Sequence, residues 1–246
     1  MILTLLKAIP VGLATLLFSL IALISIPLDR SGKTYHWSAR TWARFILWIF
    51  HIRITIRGEE RVDPAQHYIY VSNHASGFDI PVVLAGIKDQ IRIVLKKELT
   101  RIPIWGWALK WGYYIPIDRS HPKTAIRSLE DAARRMREGA SVLLFAEGTR
   151  TRDGRLQPFK RGAFSLAVKS GVPVVPLTIK HSFEIQPKGS FRVTGGTVLL
   201  VLDDPIPTSG PEGITEDRLL MEKVRHVIET HYRDPSGSDD LVIGKA

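Results

Sequence analysis

Between Ala8 and Leu28 the chain carries no charged side chain, and Lys7 is the only one before Asp29. The run is mostly Leu, Ile, Ala and Val, and it is close to the roughly 20 residues that a helix needs to cross a bilayer. Whatever follows must therefore be built onto an apolar helix at its N-terminal end. A cleaved signal peptide is the rival reading, but its apolar core is usually only ~7 to 15 residues long and ends at a small-x-small site. Ile26-Pro27-Leu28-Asp29 offers no such site. Arg30, Lys33, Arg40, Arg44, Arg53 and Arg57 follow the segment against Lys7 alone before it, which by the positive-inside asymmetry places the following domain on the cytoplasmic side of a membrane.

Next comes Tyr35 to His51, where Trp37, Trp42, Phe45, Trp48 and Ile49 recur at helical spacing among Arg40 and Arg44. Trp at headgroup level with Arg reaching phosphates describes an interfacial helix. An ordinary helix with its aromatic face on the domain fits the same spacing. Either way residues 1–50 read as a membrane-anchoring helix pair.

The periodicity then changes. Ile52, Ile54 and Ile56 alternate with Arg53, Thr55 and Arg57, the two-residue repeat of a half-exposed strand. Further β-rich runs follow at Tyr68 to Ser72, Ile91 to Leu95, Tyr113 to Ile117, Ser141 to Phe145, Val172 to Ile179 and Thr197 to Leu202. Helical patterns lie between them at Ile80 to Ile87, Ile104 to Trp111, Lys123 to Glu138 and Arg161 to Lys169, with a last one from Glu216 to Tyr232. Strands alternating with helices predict an α/β domain over 51–233, a mixed, largely parallel sheet flanked by helices. Residues 234–246, rich in Pro, Ser, Gly and Asp, read as a tail.

The 246 residues hold 34 Lys and Arg against 24 Asp and Glu, a formal charge of +10, so an anionic partner is expected. Nucleic acid, anionic lipid and an acidic small substrate all qualify. The apolar segment favours lipid, and the chain has no Walker A loop, zinc spacing or recognisable nucleic-acid motif. Cysteine is absent, which removes disulfides, thiolate metal sites and any acyl-cysteine intermediate. The eight His are scattered without metal-ligand spacing, so no metal is expected.

Two strand ends carry the residues best suited to chemistry. In Val71-Ser72-Asn73-His74-Ala75-Ser76-Gly77-Phe78-Asp79, His74 can accept a hydroxyl proton near neutral pH, and a carboxylate on its other ring nitrogen would fix the tautomer. A five-residue step places the two side chains about 140° apart on an ideal helix. A turn must therefore fold them together, with Gly77 supplying backbone freedom. The bland alternative is a solvated His74 and an Asp79 that caps the helix before Ile80-Pro81. Amides at the start of that helix are candidates for holding an oxyanion. Ser76 as an acyl-serine is a weaker idea, since no G-x-S-x-G elbow is present.

In Phe145-Ala146-Glu147-Gly148-Thr149-Arg150, Gly148 lets backbone approach a ligand and Arg150 offers a bidentate fork for phosphate; a polar turn with a surface Arg is the alternative. Lys97-Glu98-Leu99 and Ile117-Asp118-Arg119 add cations, although Arg119 could pair with Asp118 or Glu98 instead of a ligand. Trp105, Trp107 and Trp111 cluster with Ile102, Ile104 and Leu109 as either a lipid-facing rim or ordinary core.

Taken in order, Asn73-His74 to Asp79, Lys97 to Leu99 leading to Ile117-Asp118-Arg119, Phe145 with Glu147 to Arg150, and Val172-Pro173-Val174-Val175-Pro176 resemble the four blocks of the glycerolipid acyltransferases. The type is 1-acyl-sn-glycerol-3-phosphate (lysophosphatidic acid) acyltransferase, and the similarity runs from about residue 50 to 205. The resemblance implies that His74 and Asp79 are catalytic and that Lys97, Arg119, Glu147, Gly148, Thr149 and Arg150 bind the phosphate-bearing acceptor. It implies that the fourth block lies near the acyl-donor site. The implied reaction moves a fatty acyl group from acyl-CoA or acyl carrier protein to lysophosphatidic acid, giving phosphatidic acid, with no cofactor and with membrane lipids around it. Ala146 stands where the family commonly has Pro, and Gly77-Phe78 differs from common choices, which leaves the acceptor open. Another lysophospholipid, glycerol phosphate, or a basic membrane-associated binding protein without catalysis are the alternatives.

Overall fold

The computed structural model describes residues 2–118 and 140–233. Arg119, the helical pattern at Lys123 to Glu138 and the tail at 234–246 lie outside the described residues.

The chain opens with two antiparallel helices, α1 (Ile2–Leu28) and α2 (Lys33–Ile49). The reversal between them is set by Asp29, whose carboxylate accepts from the amides of Ser31 at 2.9 Å and Thr34 at 2.8 Å. Gly32 takes the left-handed conformation that ends the turn. Ser38 Oγ then donates to the Phe18 carbonyl and Trp42 Nε1 to Thr15 Oγ1, which locks the pair. Within α1, Thr4–Leu28 is long and apolar enough to cross a membrane. Its Leu5, Leu6, Ile9, Leu13, Leu17 and Ile24 are exposed. The packed reading of α2 holds for one face, where Ala43, Ile46 and Leu47 are buried on the domain; on another face Trp37 and Trp48 are 55% and 70% exposed.

Seven strands form one sheet: β1 (Ile52–Arg57), β2 (Ile69–Ser72), β3 (Ile91–Lys96), β4 (Ile115–Ile117), β5 (Ser141–Phe145), β6 (Val174–Lys180) and β7 (Gly196–Leu202). Their spatial order is β1-β7-β6-β2-β5-β3-β4. The five from β6 to β4 are mutually parallel; β7 is antiparallel to β6, and β1 runs parallel to β7. The expectation of a mixed, largely parallel sheet holds. Alternate side chains of a strand face opposite sides, and β2 shows the consequence. Tyr70 joins the core under α2 and α3 (Asp79–Gly86), whereas Ile69 and Val71 join the core under α5 (Arg161–Ser170) and α7 (Asp217–Arg233). Two short α-helices, α4 (Trp105–Trp111) and α6 (Ser182–Ile185), and two 3-10 turns, Glu59–Arg61 and Lys97–Arg101, complete the described chain. Because β2, β3, β4, β5 and β6 run the same way, their C-terminal ends share one edge. The segments that begin at Asn73, Lys97, Asp118, Ala146 and His181 all leave the sheet there, the side on which open α/β sheets bind ligands.

Candidate active site

The site is built outward from the last residues of β2. Asn73 is buried, and its side chain clamps β6. The chain then turns sharply through His74 and enters α3 at Asp79. One carboxylate makes that turn: Asp79 Oδ2 accepts from the Ala75 amide at 2.7 Å and the Ser76 amide at 2.9 Å, and lies 2.7 Å from His74 Nδ1. Asp79 is fully buried, while the His74 side chain keeps 17% exposure. Asp79 is not the helix cap of the bland reading, because it binds amides of the preceding loop and the helix has no side-chain cap. The imidazole stacks on Phe145, ring centroids 4.0 Å apart and planes 17° apart. Nε2 has no hydrogen-bond partner among the described residues. A histidine with one nitrogen fixed by a buried carboxylate and the other open is an arrangement that can take a proton from a hydroxyl.

Gly77 serves this turn differently from expectation. Its φ is not in the left-handed region. Its lack of a side chain instead leaves room for two others, since a Cβ there would sit 2.7 Å from Gln186 Oε1 and 3.3 Å from Arg150 Nη1 and would displace their ends. Of the amides after His74 that were candidates for an oxyanion, those of Ala75 and Ser76 are committed to Asp79, and that of Phe78 to Ser76 Oγ at 3.2 Å. Ser76 itself is buried and donates to the Gln186 carbonyl at 3.1 Å, so it is no free nucleophile.

The Glu147 to Arg150 segment leaves β5 beside His74. Glu147 is buried, and its oxygens accept from the His74 amide at 2.6 Å and the Gln157 amide at 2.8 Å. It ties two loops together rather than facing open space. Burial pushes its carboxyl up to about 7, against the lowering effect of those two amides. Gly148 has φ +70°, and the Lys160 side chain lies over the face where a Cβ would stand. Thr149 is exposed and Arg150 half-buried, with the guanidinium reaching toward Gly77. Lys97 lies across the sheet edge, exposed and 3.4 Å from Asp118 Oδ2. Sequence reasoning missed Lys188, whose ammonium donates to Thr149 Oγ1 at 2.9 Å and to the Arg150 carbonyl at 3.2 Å. Among the described residues no group of three or more His, Asp or Glu gathers as a metal ion would require.

An apolar cavity of about 210 Å³ begins at Gly77. It runs between α3 and the N-terminal helices, past Ile80, Leu84 and Leu95 to Phe18 and Trp42. Its walls offer an alkyl chain nothing but hydrocarbon and ring faces along most of its length.

An α/β domain with an open His–Asp pair at the C-terminal strand edge, a cationic loop beside it and an apolar cavity behind it has the parts that proton transfer on an amphiphilic, anionic substrate calls for. Residues 53–180 match the Acyltransferase family, and the chain belongs to that family. It is 36% identical over 176 residues to a chloroplastic 1-acyl-sn-glycerol-3-phosphate acyltransferase of Brassica napus, covering 71% of this chain and 51% of that protein. A 1-acyl-sn-glycerol-3-phosphate acyltransferase of Pseudomonas aeruginosa is 34% identical over 189 residues, with 74% and 72% covered. The crystal structure of the 1-acyl-sn-glycerophosphate (LPA) acyltransferase PlsC from Thermotoga maritima superposes with a TM-score of 0.79, 25% identity and 94% of both chains covered. The chain spans about half the length of the plant chloroplast relatives, 51% and 49%.

Proposed function

We propose that the chain transfers a fatty acyl group from an acyl thioester, acyl-CoA or acyl carrier protein, to the sn-2 hydroxyl of 1-acyl-glycerol-3-phosphate, giving phosphatidic acid. The observation that carries this reading is the 2.7 Å contact of His74 Nδ1 with buried Asp79, which leaves Nε2 as the proton acceptor. Nε2 takes the acceptor's hydroxyl proton as its oxygen attacks the thioester carbonyl, and Asp79 stabilises the imidazolium that forms. The C–S bond then breaks. A thiol of pKa about 8.5 is a good leaving group, so no strong acid is needed on that side. The imidazolium returns its proton to the departing thiolate.

Arg150 supplies a planar fork for the acceptor phosphate, and Lys97 adds charge at the same sheet edge. The family resemblance assigns Arg119 to acceptor binding as well. Glu147 acts by positioning, through the His74 and Gln157 amides. The cavity that starts at Gly77 accommodates an acyl chain. The names of the Brassica napus and Pseudomonas aeruginosa relatives support the choice of acceptor. The helix pair α1–α2 holds the enzyme to a membrane, and the excess of Arg and Lys after α1 supports a cytoplasmic catalytic domain. The reaction calls on no cofactor.

The test is an acyl-transfer assay of the purified chain over lysophosphatidic acid, other lysophospholipids and glycerol phosphate, with acyl-CoA and acyl carrier protein as donors. Phosphatidic acid should form from lysophosphatidic acid with at least one donor. Transfer only to the other acceptors would overturn the assignment.

A further inference from the structure

The loop after α6 carries a cation that belongs to none of the four sequence blocks. Lys188 is half-buried, and its Nζ is held by Thr149 Oγ1 at 2.9 Å and the Arg150 carbonyl at 3.2 Å. An ammonium has three donors, so one remains after these two bonds. The loop that positions it is itself fixed on the catalytic turn. The Gln186 side chain lies over Gly77, its Oε1 2.7 Å from where a Cβ would stand, and the Gln186 carbonyl accepts from Ser76 Oγ at 3.1 Å. Lys160 adds a third cation at the same turn, its Nζ 3.1 Å from where a Cβ on Gly148 would stand. Among the described residues no carboxylate pairs with Arg150, Lys160 or Lys188. Cations left without counter-charges on three segments that meet around Gly148 to Arg150 fit a multiply charged anion. A phosphate monoester carries about −1.5 to −2 at neutral pH, whereas a diester carries a single charge.

We propose that Lys188 is a further headgroup-binding residue that makes this site select a phosphate monoester over a phosphodiester. The inference rests on the acceptor assignment above. Thr149 and Arg150 orient the ammonium, and its free N–H donates to a non-bridging phosphate oxygen that Arg150 also contacts. A diester has lost one such oxygen, and its charge, to the second ester bond, so the same ammonium gains less from it.

The experiment uses the full chain in one detergent. It measures KM and kcat for lysophosphatidic acid, and the inhibition constant of lysophosphatidylglycerol of the same acyl chain as competitor. Lys188→Gln should raise KM about tenfold, the scale of one charge-assisted hydrogen bond. The same variant should leave kcat within about twofold and shift the competitor's constant less than about threefold. Lys188→Arg, which keeps the charge, should stay near wild type in KM. Equal shifts for monoester and diester, or a fall in kcat at constant KM, would overturn the inference and leave Lys188 a loop support. Lys188→Met provides a second uncharged variant, and unfolding of both would likewise assign the residue to stability alone. Failure of the unmutated chain to acylate lysophosphatidic acid is a separate result that removes the acceptor assignment itself, and the inference with it.

Discussion

Asn73 binds both backbone groups of Ile179: its Nδ2 donates to the carbonyl at 2.9 Å and its Oδ1 accepts from the N–H at 2.8 Å. The last paired residues of β2 and β6 are Ser72 and Leu177, so the amide side chain supplies the next rung where the β2 backbone has begun to turn away. His74 therefore departs from a fixed point. Asn73→Ala would leave two buried backbone groups of β6 without partners, at a cost of about 2 kcal/mol or more. For a chain of this size that lowers the melting temperature by roughly 5 °C or more. Thermal unfolding in detergent should show it, and an unchanged midpoint would mean the clamp contributes nothing.

His74→Ala removes the proton acceptor and should cut kcat by about a hundredfold or more, with little change in acceptor KM. Asp79→Asn separates charge from shape. The amide oxygen can occupy the Oδ2 position and keep the bonds from Ala75 and Ser76. Its NH2 then replaces Oδ1, which is buried and has no hydrogen-bond partner. This variant should fold, yet lose kcat in the same direction as His74→Ala, because a neutral amide cannot stabilise the imidazolium. Near-normal kcat in a folded His74→Ala chain would end the general-base assignment.

Arg150→Lys keeps the charge and loses the fork, so its main effect should be a higher KM for phosphate-bearing acceptors. An equal loss on an acceptor without phosphate would make Arg150 a structural residue. Steady-state kinetics on the two acceptor types decide between these outcomes.

Glu147 makes stability depend on pH. Its folded carboxyl is raised from 4.5 to about 7 by burial, so between these values the native state binds more protons than the unfolded one. The associated stability is complete below the unfolded value and is lost as pH rises through about 7. Glu147→Gln keeps an acceptor for one of the two amides and removes the titration. The wild type should thus lose melting temperature relative to Glu147→Gln between pH 5 and 7.5. Parallel curves over that range would show that Glu147 ionises as an exposed carboxyl does.

Much of this architecture is legible locally. The alternation from Ile52 to Arg57 coincides with β1, and Ser141 to Phe145 with β5, because each run is bounded by residues that break its pattern. The antiparallel placement of β7 is not legible, since it depends on how the segment from His181 to Gly195 folds back along β6. The four-residue helix α6 inside that segment is too short for periodicity to register. Ile104 has φ +64°, a conformation that β-branched residues disfavour, so propensity extends α4 one residue too far. The His74–Asp79 pair could be inferred as chemistry but not as geometry. The third party to its turn, Gln186, lies 110 residues beyond Ser76. Lys188 carried no motif, and only the placement of its loop against Thr149 and Arg150 gives it a role.

Attachment to the membrane is best tested at α4, away from the core. Removing residues 1–50 is too blunt, because Ala43, Ile46 and Leu47 of α2 are buried in the core and Phe18, Ala22 and Trp42 line the cavity. Loss of activity would then report unfolding as much as detachment. Trp107 and Trp111 are 42% and 57% exposed, with ring centroids 6.0 Å apart on a helix beside α1. Trp105 instead packs partly into the core and lines the cavity. The core reading therefore applies to Trp105, while Trp107 and Trp111 are left to test as a rim. Exposed paired indoles next to the uncovered leucines of α1 suit the headgroup level of a bilayer. Trp107→Ala with Trp111→Ala removes apolar area without opening the interior, so the melting temperature should move by less than about 3 °C. Vesicle affinity should fall about tenfold in a flotation assay, at roughly 1 kcal/mol or less for each half-exposed ring. Activity on bilayer-borne lysophosphatidic acid should fall further than activity on a short-chain, monomeric acceptor. Unaltered flotation would remove α4 from the membrane contact, and equal losses on both acceptors would confine these rings to folding.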